Sequence, residues 1–302
     1  GETRWEKEGL KAQERGKMKT YPELDRIALL HPSPLILLGE EIYWTEKRDG
    51  SQLRIALVDN EVRVATHHQE EASEKFIDYL KGTEQFNAVE QMLKDSNGLC
   101  DNPVANFNIG AIVFGELLLK GKSPARFEYH DKYEFILFDI WSQKDERFLP
   151  YDSLFQYAYH YALPVVECWA LTRHTSLESL YSFRDEMLTL AKEKGREGVV
   201  LKNYHSQIFA KEKLDTPIIP RIGIEEGQPH YPALTESEVL GAIAKVHADL
   251  GELFTEKAKA MPLIAKYVKE EMGKHSCSKP ARNLFSYYQE YVVQHCSPQV
   301  EK

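Results

Sequence analysis

The chain has 302 residues, a formal net charge of −9 and 42% hydrophobic residues. Its length suits one large domain with a small one, and its apolar share excludes a disordered chain. The acidic balance argues against a nonspecific nucleic-acid coat, although a local groove of Lys and Arg still holds phosphates on such a chain.

Residues 1–20 are highly charged, with little apolar content beyond Trp5 and Leu10. They read as a loose arm or a surface helix, and their charges interrupt any signal-peptide core. From Tyr21 to Trp44 the chain is apolar, and Pro22, Pro32 and Pro34 cut it into short pieces. Strand-like runs follow at Ser51–Val58 and Glu61–Thr66, with Asp59-Asn60 as a hairpin turn between them. A helix is expected over Glu70–Leu93, with Phe76, Tyr79 and Leu80 on one face, then a loop over Ser96–Asn108.

Further strands are expected at Ala111–Leu119, Tyr133–Trp141 and Gly198–Leu201. Amphipathic helices take Phe155–Tyr161 and Leu177–Lys194. The mixture lacks a regular βαβ alternation, which points to α+β with mainly antiparallel sheets. Residues 214–233 carry Pro217, Pro220, Pro229 and Pro232 and read as an extended linker. Thr235 and Glu238 fit a capping box, and Val239, Ile243 and Val246 supply the apolar face of the helix it opens. The tail reads as helical to about Val293, with breaks at Pro262 and around Gly273–Pro280. This divides the chain into a domain of residues 1–228 and a helical one of 229–302.

No stretch reaches the roughly 20 apolar residues that span a bilayer, so no membrane anchoring is expected. The four cysteines (Cys100, Cys168, Cys277, Cys296) form no metal-ligand pair. They suit the cytoplasm or another reducing compartment inside the cell.

Four segments carry chemistry. Glu46-Lys47-Arg48-Asp49-Gly50 stands just before a strand. A lysine amine attacks phosphorus only when unprotonated, and Asp-Gly permits a tight turn that holds it at a sheet edge. Phe114-Gly115-Glu116-Leu117 ends an apolar strand, where Gly allows close backbone approach and Glu can bond a ribose hydroxyl. Tyr133–Ile140 alternates like a buried strand, and its Phe138 can stack on a base. Glu197-Gly198-Val199-Val200-Leu201-Lys202 flanks a buried strand with charge, and Lys211 and Lys213 then alternate onto one strand face. Taken singly these are also an exposed turn, a strand end, core aromatics and a solvated edge.

In this order, the set EKRDG, FGEL, YEFILFDI, EGVVLK and FAKEK resembles the covalent nucleotidyltransferases: RNA ligases, DNA ligases and mRNA capping enzymes. The resemblance runs from about Tyr21 to Lys213. It implies a nucleotidyltransferase domain in which Lys47 forms a phosphoramidate with the nucleotide and expels pyrophosphate. Glu46 would line the adenine pocket, Glu116 hold the ribose and Phe138 stack on the base. Asp49 and Gly50 would complete the lysine turn, Glu197 would help bind Mg2+ (or Mn2+), and Lys211 and Lys213 would contact the α-phosphate. Lys202 is a further phosphate-side candidate. Many relatives carry an Arg in the strand after the lysine motif. Here stands Ala65-Thr66-His67-His68, so His67 or Arg54 is left to supply that contact, or else neither does. Otherwise His67 is an exposed turn residue and Arg54 a strand residue facing solvent.

DNA ligases and capping enzymes normally continue into a β-rich OB domain, whose alternating pattern is absent after Lys213. The helical remainder resembles RNA ligases instead. The implied reaction is ATP-dependent joining of RNA 3′-hydroxyl and 5′-phosphate ends, as in RNA repair. The ends would come from a nicked duplex, broken RNA or RNA/DNA hybrids. The alternatives are an ATP-dependent DNA ligase without an OB domain and a non-catalytic RNA-end-binding module. In the tail, Lys257, Lys259, Lys266 and Lys269, with Tyr287, Tyr288 and Tyr291, suit either a grip on duplex backbone or a solvated helical face. Oligomeric state is not legible.

Overall fold

The computed structural model describes residues 17–99, 107–125, 127–214, 236–251 and 256–271. In chain order the elements are β1 (Asp25–Arg26), β2 (Glu41–Lys47), β3 (Ser51–Val58), β4 (Glu61–Thr66), α1 (Glu74–Lys81) and α2 (Phe86–Ser96). Next come β5 (Ala111–Leu118), β6 (Gly121–Lys122), β7 (Tyr129–His130), β8 (Glu134–Ser142), β9 (Arg147–Phe148) and α3 (Tyr151–His160). The last are β10 (Cys168–Arg173), α4 (Leu177–Glu193), β11 (Gly198–Asn203), β12 (Ile208–Lys213), α5 (Glu236–Leu250) and α6 (Lys257–Glu271).

The main strands form two five-stranded sheets, ordered β1-β12-β11-β2-β10 and β4-β3-β5-β8-β9. All pairings in them are antiparallel except the two-residue match of β1 with β12. The class is therefore α+β, as expected.

Alternation along each strand sets the layers. Leu53 and Ile55 of β3 and Val113 of β5 pack with Phe76, Leu80, Val89 and Leu93 of α1 and α2. Ala56, Phe114 and Phe209 turn the other way and, with Tyr21, Phe148 and Tyr204, form the layer between the sheets. Trp44, Val199, Leu201 and Ala210 face α4, whose Leu180, Met187 and Ala191 cover them. What remains on the inner faces is polar, and that is where the site lies.

The Asp59-Asn60 turn has positive φ at both residues (52° and 65°), the conformation that matches hairpin twist. The single helix expected over Glu70–Leu93 is two. Ser73 caps α1 by accepting from Phe76 N–H, and the helix stops where Gly82 N–H bonds Asp78 O and Thr83 Oγ1 bonds Leu80 O. Glycine is a poor helix interior residue, and the threonine hydroxyl competes for the last carbonyls. Strand β2 was hidden in a segment read as proline-broken pieces. Strand β10 alternates weakly because it is a sheet edge with both faces partly open.

The expected break at Pro262 does not occur, and α6 runs through it. Proline costs one i→i−4 bond, and Ala260, Ile264, Tyr267 and Val268 hold the helix by packing on Val239, Ala242, Ile243 and Val246 of α5. This helical pair rests on the β3–β4 side of the second sheet. His68 stacks on Tyr267 (3.9 Å between centroids), Thr66 Oγ1 donates to Asp249, and Ala248 joins the core under α1 and α2.

The arm over 1–16, the linker from 215, the 228/229 boundary, Thr235 of the capping box, the Lys257 side chain and everything past residue 271 lie outside the described residues. Within them Glu238 accepts a hydrogen bond from Arg26 at 3.3 Å. Among the described residues no helix is long and apolar enough to cross a membrane.

Candidate active site

Two close backbone approaches build the site. A Cβ on Gly50 would lie 2.6 Å from Leu117 O, and one on Gly198 would lie 2.1 Å from Glu212 O. Only glycine fits either place. The first packs the turn after β2 against β5. The second lets β11 run tightly between β2 and β12, with Gly198 opposite both Lys47 and Lys213.

At that crossing Glu197 receives two ammonium groups. Lys47 Nζ donates to Oε2 at 3.0 Å, and Lys213 Nζ lies 3.1 Å from Oε1. Burial alone would raise the Glu197 pKa, but the two lysines hold it down at about 2. Glu116 reaches the same place from β5 and accepts Gly50 N–H at 3.1 Å. Its burial, with Glu197, Asp49 and Glu128 nearby, outweighs Lys47 and pushes it up to about 8. Lys211 lines this end of the pocket together with Lys47, Lys213, Glu116 and Glu197.

Asp49 also lines this end of the pocket and fastens the turn. Its carboxylate accepts from Ser123 Oγ and from the backbone N–H groups of Ala125 (3.0 Å) and Phe127 (3.2 Å). Burial and Glu197 outweigh those donors and raise its pKa to about 6.

The other end of the pocket is apolar. Phe138, Val166, Val200, Leu24 and Tyr21 line it, with Lys47 and Glu116 at the junction. Glu46 also lines it, but its oxygens are committed: Oε1 accepts Glu167 N–H at 3.2 Å, and Oε2 accepts Arg196 Nε at 2.7 Å.

Two expected phosphate contacts stand elsewhere. Lys202 lies at the apolar end, where its Nζ donates to Phe138 O (2.6 Å) and pairs with Asp139 (2.9 Å). Asp139 also accepts the hydroxyls of Tyr21 and Tyr204, so the ammonium is buried beneath Phe138 rather than set on a phosphate. Arg54 is buried beside β4. Its guanidinium donates to the carbonyls of Thr66, Met18, Lys19 and Gln69 and to Glu70 Oε1 at 3.2 Å. It neither contacts the pocket nor faces solvent. His67 does line the cationic end, half-buried between Gln52 Nε2 (3.3 Å at Nδ1) and Glu23 Oε1 (3.3 Å at Nε2).

Sequence reasoning missed the fastener of the lysine turn. Glu128 Oε2 accepts Asp49 N–H at 2.7 Å, and Oε1 accepts Arg48 Nε (2.7 Å) and Arg196 (3.2 Å). Arg196 thus joins Glu128 to Glu46. The signal available was its place beside Glu197; Glu128 sits in a loop with no pattern of its own.

The fold and site define an α+β protein with a lysine where two antiparallel sheets meet, between an aromatic pocket and a cationic one. The family model for RNA ligase matches residues 40–218, and the chain belongs to the RNA ligase family. Among solved structures it resembles an archaeal ATP-dependent RNA ligase at 15% identity and TM-score 0.48, over 92% of this chain and 63% of that one. It also resembles a mutant Naegleria gruberi RNA ligase with ATP and Mn at 16% identity and TM-score 0.49, over 65% of this chain and 56% of that one. The chain thus spans less than two thirds of the length of either. No curated protein sequence matches it.

Proposed function

We propose that this chain is an ATP-dependent RNA ligase that joins 3′-hydroxyl and 5′-phosphate ends through AMP carried on Lys47 Nζ. The observation that carries the reading is the bridge Lys47–Glu197–Lys213, set where the aromatic end of the pocket meets the cationic end.

A nucleoside triphosphate fits that division. The base lies against Phe138, Val166 and Val200, with Glu46 fixing the wall through Arg196 and Glu167. Glu116, held largely protonated at neutral pH, can donate to a ribose hydroxyl. Lys211 and Lys213 meet the phosphates. Nζ of Lys47 gives up its two excess protons to solvent as it bonds the α-phosphorus, the bond to the bridging oxygen breaks, and pyrophosphate leaves with the electron pair. Positioning and charge neutralisation carry such a step. AMP then passes to a 5′-phosphate, and a 3′-hydroxyl displaces it.

Glu197 fits a hard divalent cation, since it is an oxygen donor that Lys47 and Lys213 keep ionised. Bound Mg2+ or Mn2+ would supply neutralisation of phosphate charge there. RNA ends in a nicked duplex, a break or a hybrid with DNA are the proposed partners. A reducing compartment such as the cytoplasm is the proposed setting, and a nucleotidyltransferase domain followed by a helical one is the proposed division.

The test is incubation with Mg2+ and ATP or GTP labelled at the α-phosphate, then a denaturing gel, with Lys47→Ala alongside. Label from ATP that is lost in the variant is the expected result, followed by sealing of RNA nicks faster than DNA nicks. Label from GTP alone would redirect the reading to a capping-type enzyme. No label, on protein whose Lys47 is not already adenylylated, would leave an end-binding module.

A further inference from the structure

At the rim of the phosphate end, Glu23, His67 and His68 each offer a ligand atom, and those atoms lie within 4.8 Å of one another. We propose that these three residues form a second metal site, one that takes a late first-row divalent cation such as Zn2+ and pins α6 to the end of β4.

The donor set differs in kind from the lone carboxylate of Glu197. Two imidazoles and one carboxylate suit Zn2+ and its neighbours, whereas Mg2+ takes oxygen. Around a tetrahedral ion with bonds of roughly 2.0–2.1 Å, ligand atoms sit roughly 3.4 Å apart. The three groups therefore need only small side-chain rotations to close on one.

His68 is already arranged as a ligand. Its Nε2 lies 2.6 Å from Glu270 Oε2 on α6, which fixes the proton on that nitrogen. Its Nδ1 is buried, has no hydrogen-bond partner among the described residues, and lies 4.0 Å from Asp249 Oδ2. A carboxylate on one ring nitrogen and a bare lone pair on the other is the outer-shell pattern of metal-bound histidine. His67 reaches Glu23 through Nε2, and a flip of the Gln52 amide would turn its oxygen to an Nδ1 proton. Asp249, Glu270 and Glu23 surround the imidazoles with negative charge, against the opposing charge of Lys245 in the same pocket. Because Glu270 belongs to α6, the ion would stiffen the helical pair over the phosphate end.

The test is calorimetric titration of chelator-stripped full-length protein with ZnCl2, without nucleotide and with excess Mg2+, together with Co2+ absorption and X-ray absorption spectra. One equivalent should bind, with nitrogen and oxygen ligation. His67→Ala and His68→Ala should each weaken binding at least tenfold, Glu270→Gln should weaken it by roughly tenfold, and Lys47→Ala should not change it. The proposal falls if wild-type protein shows no saturable binding, if the double histidine variant binds as well as wild type, or if the spectra show sulfur ligands. The wild-type spectra decide the matter even if a histidine variant fails to fold.

Discussion

Lys47 Nζ lies 3.0 Å from Glu197 Oε2, joining the last residue of β2 to the residue just before β11. The same carboxylate binds Lys213 through its other oxygen, so one buried anion spaces two cations.

This pairing has a pH signature. Glu197 has a folded pKa of about 2, below its ordinary 4.5. Its contribution to stability is present above pH 4.5 and is lost as pH falls toward 2. The shift corresponds to about 3 kcal/mol. Urea titrations at pH 6 and pH 3 should therefore show a larger acid loss in wild type than in Glu197→Gln, which should also lose nucleotide labelling. Equal acid losses would remove Glu197 from the charge bridge.

Glu116 behaves in the opposite sense. Its folded pKa of about 8 lies above the ordinary 4.5, so the folded state holds the proton more tightly. Wild-type stability then falls as pH rises from 4.5 to 8, because the unfolded chain ionises in that window while the folded carboxyl must keep its proton. Glu116→Gln mimics the protonated group and keeps an acceptor for Gly50 N–H. Its melting temperature should exceed that of wild type by about 3 °C or more at pH 8, and match it near pH 5. A constant offset at both values would sink the assignment.

The site was legible where chemistry fixes residue type and spacing together. Lys47, Glu116, Glu197, Lys211 and Lys213 stand out as an ordered set, and the structure brings all five to one pocket end. Arg54 was not legible. Period-2 alternation says which face a side chain takes but not what covers that face, and here the chain at Met18–Lys19 and Gln69 wraps the guanidinium. The place of Lys202 at the apolar end was not legible for a related reason: its burial partner Asp139 is 63 positions away, in a motif that reads as core aromatics. Helix α5 is legible from its apolar spacing, but the seat of the helical pair on β4 depends on His68, Thr66 and Asp249, which carry no periodic signal.

Glu128 should govern the lysine turn from outside the pocket. Glu128→Ala leaves Arg48 and Arg196 with Glu46 as their one remaining buried counter-charge among the described contacts, and Asp49 N–H without that acceptor. Breaking a buried pair this way costs about 3 kcal/mol. Unfolding in urea should show that loss, and label transfer to Lys47 should slow at saturating ATP. Glu128→Gln, which keeps the acceptor for Asp49 N–H, should recover part of the rate.

His247 ties the helical pair to α1 and gives it a pH limit. Its ring meets Phe76 edge-on at 5.3 Å, and burial, with Lys75 nearby, pushes its pKa down to about 4. The undocked ring keeps an ordinary value near 6.5, so undocked chains take up the proton first. Docking is at full strength above pH 6.5 and weakens as pH falls toward 4, by about 3 kcal/mol over that window. Hydrogen exchange of α5 amides should accelerate between pH 6.5 and 4.5, after correction for intrinsic exchange, relative to the strands of the first sheet. In His247→Leu that acceleration should vanish, because the buried position no longer titrates. If α5 exchanges in step with the sheet strands at both pH values in wild type, the helical pair and the sheets unfold as one unit and His247 does not set its limit.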